Sequence, residues 1–321
     1  MMLNPHVAPG ILALTVTVFY FGGKYFRAPK QGRFRWWGWA GLTLIFFSEL
    51  LNSQHFSWVA TFFTPMVWTG YVLLADSLTS SLKGDSLLST RPRRFFSLIF
   101  WSVPLWLIFE AYNLRLQNWK YVGLPENVAV LCLGYVWSFA TIWPAIFETA
   151  ALVEALGIFH KTNRPLSSLK LSARLGLLVC GLVFVVVPAA APPGIGQYLF
   201  GAVWIGFVLF LDPLNYRWNG FSFLHKFEAG ETAPFWNFIT AGWICGILWE
   251  FWNYWAGAKW IYIFPMGQAW KVFEMPLAGY LGFLPFALEC KVMFEFLQTL
   301  KTRFGHERRL PAWDAVRSPT A

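Results

Sequence analysis

Nine stretches of this chain are apolar enough, and long enough, to cross about 30 Å of hydrocarbon, and charged loops separate them. They run at about 7–23, 36–52, 59–77, 95–112, 127–153, 174–190, 197–213, 235–255 and 276–298. Within a bilayer each backbone N–H or C=O left without a partner costs several kcal/mol, so spanning structures are helices or closed barrels. The stretches are far longer than the ten or so residues a tilted strand needs, which selects helices. The fold class expected is therefore all-α: a polytopic transmembrane bundle of about nine spans, one domain over residues 1–300 with a cytoplasmic tail from 301 to 321. Charge content agrees, since only 13% of residues are charged, against roughly a quarter in soluble domains.

Twenty of the 25 lysines and arginines fall in alternate loops and in the C-terminal segment. Lys24, Arg27, Lys30, Arg33 and Arg35 follow the first stretch; Lys83, Arg91, Arg93 and Arg94 follow the third. Lys161, Arg164, Lys170 and Arg174 follow the fifth, Arg217 and Lys226 the seventh, and Lys301, Arg303, Arg308, Arg309 and Arg317 the ninth. The opposite loops hold Arg115, Lys120, Lys259 and Lys271 alone. The positive-inside bias puts the N-terminus outside and the C-terminus in the cytoplasm, as an odd number of spans requires, in a plasma membrane of the bacterial inner-membrane kind. The first stretch has its basic cluster behind it and reads as an uncleaved anchor. The net charge of +9 then reflects topology and anionic lipid. No basic stretch carries a nucleic-acid motif, so no nucleic-acid partner is expected.

Glu-x-x-Asn recurs at the ends of apolar stretches, each time followed by a tryptophan. The copies are Glu49/Asn52/Trp58, Glu110/Asn113/Trp119 and Glu250/Asn253/Trp260, and Gly70-Tyr71, Gly134-Tyr135 and Gly279-Tyr280 follow in the next stretch. This pattern predicts an internal repeat of helical hairpins at about 36–78, 95–154 and 235–298. A carboxylate near the centre of a span costs about 2.5–3.5 kcal/mol, so three copies imply a role. Residues at i and i+3 share a helix face, which presents acid and amide together. Pro144 and Pro285 each stand four residues before an acid, Glu148 and Glu289, and Asp76 is a candidate counterpart in the third stretch. The two stretches from 174 to 213 lack the triplet, though Asp212 and Asn215 keep its first spacing. Both a degenerate copy and an unrelated insert fit.

The third copy is the richest in aromatics: Trp249, Phe251, Trp252, Tyr254 and Trp255 surround its acid, and Trp260, Tyr262 and Phe264 follow. Aromatic rings stabilise positive charge, and a carboxyl among them suits proton transfer. The candidate catalytic set is Glu250 as proton donor or acceptor, Asn253 as its orienting partner, and Glu274 and Glu289 as secondary acids. Trp249, Trp252, Trp260, Tyr262 and Tyr280 would form the pocket, with Glu49, Asn52, Glu110 and Asn113 gathered on the same outer side. The competing reading is structural: Glu and Asn bonding neighbouring turns, and aromatics forming an interfacial belt. Lys291 pairs most simply with Glu295 at i+4. Cys132, Cys180, Cys245 and Cys290 have no metal spacing and read as buried hydrophobes, and the five histidines are scattered. No metal and no redox cofactor is expected.

Trp249-Glu250, Asn253, Trp260-Ile261-Tyr262 and Glu274-Met275-Pro276 followed by Phe283 resemble the repeats of the integral-membrane lycopene cyclases of the carotenoid pathway, over about 50 residues, with a fainter echo at 110–148. Leu277-Ala278 stand where that family carries adjacent glutamates. The resemblance implies small helical repeats and acid–base chemistry on an isoprenoid. The residues by themselves leave three classes. One is an enzyme acting on an isoprenoid or lipid; the second is a carrier, transporter, channel or complex subunit whose polar groups line a path or bind a hydrophobic ligand; the third is a purely structural membrane protein. Membrane lipid and a hydrophobic small molecule are the expected contacts. No Walker A loop, Asp-rich diphosphate motif or Ser/His nucleophile is present.

The topology is tested by reporter fusions. Those after Gly84 and Arg309 should report cytoplasm and one after Ala258 the exterior, so an external signal after Arg309 would refute the nine-span count.

Overall fold

The computed structural model describes residues 6–160 and 165–305. Lys161, Arg164, Arg308, Arg309, Arg317 and most of the expected tail lie outside the described residues. The helices are α1 (Ala8–Arg27), α2 (Trp36–Ser53), α3 (Ser57–Lys83), α4 (Leu87–Thr90), α5 (Pro92–Leu116), α6 (Val128–Ala155), α7 (Leu171–Ala190), α8 (Pro193–Gly196), α9 (Phe200–Arg217), α10 (Phe223–Glu228), α11 (Ala233–Trp255) and α12 (Tyr280–Phe304). Among the described residues, nine of them reach 18 residues, and each overlies one apolar stretch of the sequence. Five are both long and apolar enough to cross a membrane: α3, α5, α6, α7 and the Leu277–Phe304 helix that contains α12.

The long helices pack chiefly as the pairs α2–α3, α5–α6, α7–α9 and α11–α12, and the pairs join through α3–α6, α6–α11 and α9–α12. Between apolar helices in lipid the attraction is mainly van der Waals contact, so small residues sit where backbones approach. A side chain at Gly41 would run into the Gly70 carbonyl across α2–α3, and one at Gly181 into the backbone of Phe210 across α7–α9. Helix α1 lies outside this set against α11, where Trp243 Nε1 donates to Thr17 Oγ1 at 3.1 Å.

The sequence pattern predicts helices and loops only, yet four short strands form: β1 (Trp119–Val122), β2 (Lys259–Tyr262), β3 (Lys271–Val272) and β4 (Met275–Pro276). β1 and β2 pair antiparallel, with Trp119 opposite Tyr262 and Tyr121 opposite Trp260. This ribbon satisfies backbone groups that the helix-to-helix turns would otherwise leave open. β3 and β4 form a hairpin ahead of α12, so Glu274 lies in that hairpin and not on the helix that carries Glu289.

At the opposite end of the bundle two buried aspartates hold the short helices. Asp76 accepts from the Ser86 hydroxyl at 2.8 Å, Trp37 Nε1 at 2.9 Å and the Leu88 N–H at 2.8 Å. Asp212 accepts from the Ser222 hydroxyl at 2.9 Å and from the N–H groups of Phe223 at 2.8 Å and Leu224 at 3.1 Å. In both, the serine follows by 10 residues and the outer N–H by 12. Each carboxylate caps α4 or α10 at the foot of α3 or α9. The bonding of Asp76 thus matches Asp212, and not the Glu148/Glu289 pair with which its sequence position suggested kinship. Cys245 and Cys290 are buried as expected, whereas Cys132 and Cys180 are exposed on the bundle surface.

Replacing Asp212 by Ala strips three donors of their acceptor and should lower stability by about 2–4 kcal/mol, with Asp212→Asn intermediate. Thermal unfolding in detergent measures this; an alanine variant melting with the wild type would contradict the capping role.

Candidate functional site

The site is built at the ribbon end, and its starting point is two amides. Asn113, one turn beyond Glu110 on α5, donates to the Trp119 carbonyl at 2.8 Å and accepts the N–H groups of Trp119 at 3.1 Å and Asn118 at 2.8 Å. Asn253 on α11 donates to the Trp260 carbonyl at 2.8 Å and accepts the Trp260 N–H at 3.0 Å. Each amide completes the backbone of a ribbon tryptophan as a neighbouring strand would. The acid of each pair then takes the tyrosine two residues further on. Glu110 Oε1 accepts from the Tyr121 hydroxyl at 2.6 Å and from Trp106 Nε1 at 2.8 Å. Glu250 Oε1 accepts from the Tyr262 hydroxyl at 2.8 Å, and that hydroxyl oxygen accepts from Trp260 Nε1 at 2.9 Å. The spacing Glu-x-x-Asn…Trp-x-Tyr is therefore a folding instruction, in which the amide fixes the strand and the acid fixes the ring.

The first copy works differently. No strand follows Asn52. Glu49 instead accepts from Trp252 Nε1 at 2.9 Å, and Asn52 donates to the Trp255 carbonyl at 3.0 Å, so this pair ties α2 to α11. Trp58, its tryptophan, is exposed at the start of α3.

Beneath the ribbon lies a cavity of about 420 Å³ bounded by α3, α5, α6, α9, α11 and α12. Its walls are rich in aromatics: Trp68, Trp106, Phe139, Trp204, Trp249 and Phe286 from the helices, and Trp119, Tyr121, Trp260 and Tyr262 from the ribbon. Trp68 meets Trp249 at a tilt with centroids 5.1 Å apart, Phe286 meets Trp204 edge-on at 5.1 Å, and Trp249 stacks on Phe283. Burial, and next the adjacent carboxyl of Glu250, hold the Tyr262 hydroxyl well above the usual tyrosine range. Tyr121 is raised in the same way by burial and Glu110. Both ring hydroxyls are thus neutral donors at any pH a membrane meets.

Of the five residues expected to form the pocket, Trp249, Trp260 and Tyr262 line this cavity. Glu110, Asn113, Glu250 and Asn253 stand behind the ribbon rings and do not line it. Trp252 is a layer back, its ring 5.0 Å from Trp68, and Tyr280 is buried beneath the β3–β4 hairpin, donating to the Val272 carbonyl at 3.1 Å. Glu274 pairs at 2.6 Å with Lys259, itself a lining residue, so this ion pair marks the mouth. Glu289 is fully buried elsewhere, accepting the Phe207 N–H at 3.3 Å, and Glu148 faces Asp76. Lys291 lies 3.1 Å from Glu295 as expected, and Arg94 joins the same carboxylate.

Sequence reasoning missed Trp68, Trp106, Trp204 and Phe286 as wall residues. In a chain with 20 tryptophans and 33 phenylalanines, an aromatic on a helix face carries no signal of which cavity it borders. Tyr121 was legible, two positions after its tryptophan. Among the described residues no three His, Cys, Asp or Glu side chains converge as metal ligands would.

No family model matches the chain, and no curated protein or solved structure matches it either.

Asn113→Ala and Asn253→Ala should each destabilise by about 1–3 kcal/mol and speed amide exchange in the ribbon. Asn52→Ala, which supports no strand, should leave ribbon exchange unchanged; equal ribbon protection in all three variants would sink the assignment.

Proposed function

We propose that this chain is an integral membrane protein of nine spans that holds an elongated apolar molecule, isoprenoid or lipid, in the cavity beneath its ribbon. One observation carries the reading: a space of about 420 Å³, within the range of small-molecule sites, walled chiefly by aromatic and aliphatic side chains and sealed on one side by paired strands. The charge asymmetry of the loops supports an outer position for this cavity, with the C-terminus in the cytoplasm.

The proposal includes a duplicated scaffold, residues 36–155 and 171–304. Its support is the recurrence of three bonded sets: Asp76–Ser86 with Asp212–Ser222, Asn113–Trp119 with Asn253–Trp260, and Glu110–Tyr121 with Glu250–Tyr262. The ribbon register supports it too, because a two-fold relation sets each tryptophan opposite the other half's tyrosine. On this scheme α7 and α9 are the counterparts of α2 and α3, and not an unrelated insert.

Binding takes precedence over turnover in this reading, since both carboxylates lie behind tyrosine rings and the Tyr262 hydroxyl already donates once and accepts once. A second reading, an acid–base enzyme, is favoured by one observation: the other oxygen of Glu250 is buried without a hydrogen-bond partner. In that reading a protonated Glu250 recharges Tyr262 as the tyrosine passes its proton to a substrate double bond. The neighbouring carbon then loses a proton to the Tyr262 oxygen as the tyrosine returns its own proton to the Glu250 carboxylate, which restores both the alkene and the acid with no change of oxidation state. The resemblance of residues 249–283 to lycopene cyclase repeats fits an isoprenoid in either case.

Solvent extraction of the purified protein followed by mass spectrometry should recover an apolar molecule, and Trp249→Ala with Phe286→Ala should reduce it at least about tenfold. Recovery of none from wild type would overturn the binding reading. Glu250→Gln keeps an acceptor for Tyr262, so it should melt within about 1 kcal/mol of wild type and retain the molecule. A changed product profile in that variant would instead select the enzyme.

A further inference from the structure

The polar side chains that tie the ribbon to the helices at the mouth of the cavity are already committed. Tyr121 and Trp106 bond Glu110, Tyr262 bonds Glu250, Trp260 bonds Tyr262, and Lys259 pairs with Glu274. Two lining residues on α3 break this pattern. Trp68 is 1% exposed, yet its indole N–H has no acceptor. Thr64, one helical turn before it, carries a buried hydroxyl that is likewise without a partner. Residues at i and i+4 share a helix face, so the two donors belong to one strip of the cavity wall.

Between them stands Pro65, which has no N–H to offer the Thr61 carbonyl, the usual partner one turn back. Thr61 also lines the cavity. A short strip of α3 therefore presents two unanswered donors beside a carbonyl deprived of its usual helical partner, in a wall that is largely rings and aliphatic groups. Buried donors without acceptors are penalised heavily, and such groups in native proteins point to a missing partner.

Resting on the binding reading above, we infer that the occupant is an oxygenated isoprenoid or lipid whose hydroxyl or carbonyl oxygen accepts from Trp68 Nε1 and Thr64 Oγ1. Its hydrocarbon body lies along the rings, and the oxygen sets its direction. A hydroxyl also returns its own proton to the Thr61 carbonyl; a carbonyl uses the two donors alone. A bare hydrocarbon leaves both donors unanswered and is discriminated against. A site built for a polar group typically rejects the analogue that lacks it more strongly than an apolar site rejects an added group.

The test uses the full-length protein in detergent with three probes of equal length: farnesene, farnesol and farnesal. Bound probe is quantified by mass spectrometry after gel filtration, for wild type, Thr64→Val, Trp68→Phe and the double variant. Valine keeps the shape of threonine without the hydroxyl, and phenylalanine keeps a ring without the N–H. Comparing probe ratios between variants cancels their different partition into micelles. Wild type should prefer an oxygenated probe over farnesene by about tenfold, and the double variant should bring that preference below about twofold. Preference for farnesol alone assigns a hydroxyl; farnesal retained equally well, or better, assigns the carbonyl oxygen. Where Trp68→Phe does not fold, Thr64→Val should still cut the preference about threefold. Equal retention of all three probes by wild type, or a preference that survives the double substitution, overturns the inference and leaves the binding reading standing. Retention of none by wild type overturns both.

Discussion

Everything at the ribbon end depends on a side-chain amide standing in for a strand. Where a helix stops at the membrane edge, its last carbonyls and the first N–H groups of the following turn lose their regular partners. Asn113 and Asn253 supply both a donor and an acceptor to one tryptophan backbone, and thereby fix where the chain turns back. Only once the two tryptophans are held can β1 and β2 meet in register. Only once the ribbon exists do Tyr121 and Tyr262 have a frame from which to reach the acids behind them. The cavity is what remains beneath that frame.

Polarity is segregated along the bundle. At the ribbon end Glu110 and Glu250 bond neutral hydroxyls and indoles, with one ion pair, Lys259–Glu274, at the mouth. Toward the other end a buried ionic cluster joins the capping aspartates: Arg94 and Lys291 share Glu295, and the Lys291 ammonium sits 4.0 Å over the ring of Phe221. Removing one partner from such a buried cluster strands a charge, which makes it a rigid anchor for α5 and α12. Between these zones the interior is aromatic, and rings tolerate both an apolar occupant and partial positive charge.

Much of this was legible in the sequence. Long apolar stretches set between charged loops fix helix positions to within a few residues, because nothing else satisfies the backbone in lipid. The Glu-x-x-Asn…Trp-x-Tyr spacing marked the residues that matter, but its meaning did not follow. Whether Asn253 orients an acid or clasps a strand depends on where Trp260 goes, and that is set by pairing with a segment far away in the chain. The strands escaped notice because Trp119–Val122 and Lys259–Tyr262 are four residues each, too short for alternation to declare itself. The likeness of Asp76 to Asp212 was hidden for a different reason. It resides in bonds to Ser86 and Ser222, and a serine ten residues downstream is no motif. The cavity wall was least legible, being assembled from six helices whose faces only the folded bundle brings together.

The antiparallel register of β1 with β2 also bears on how the chain is made. β1 emerges with its hydrogen-bonding edge open, and its mate is not synthesised until α6, α7, α9 and α11 have followed. Through that interval Asn113 can secure Trp119, but the outward edge of the strand has no native neighbour. Such edges recruit whatever extended segment is at hand. Loop closure over so long a separation is slow compared with forming a local hairpin. The short length of β1, with Lys120 exposed in its middle, limits what it can capture while it waits.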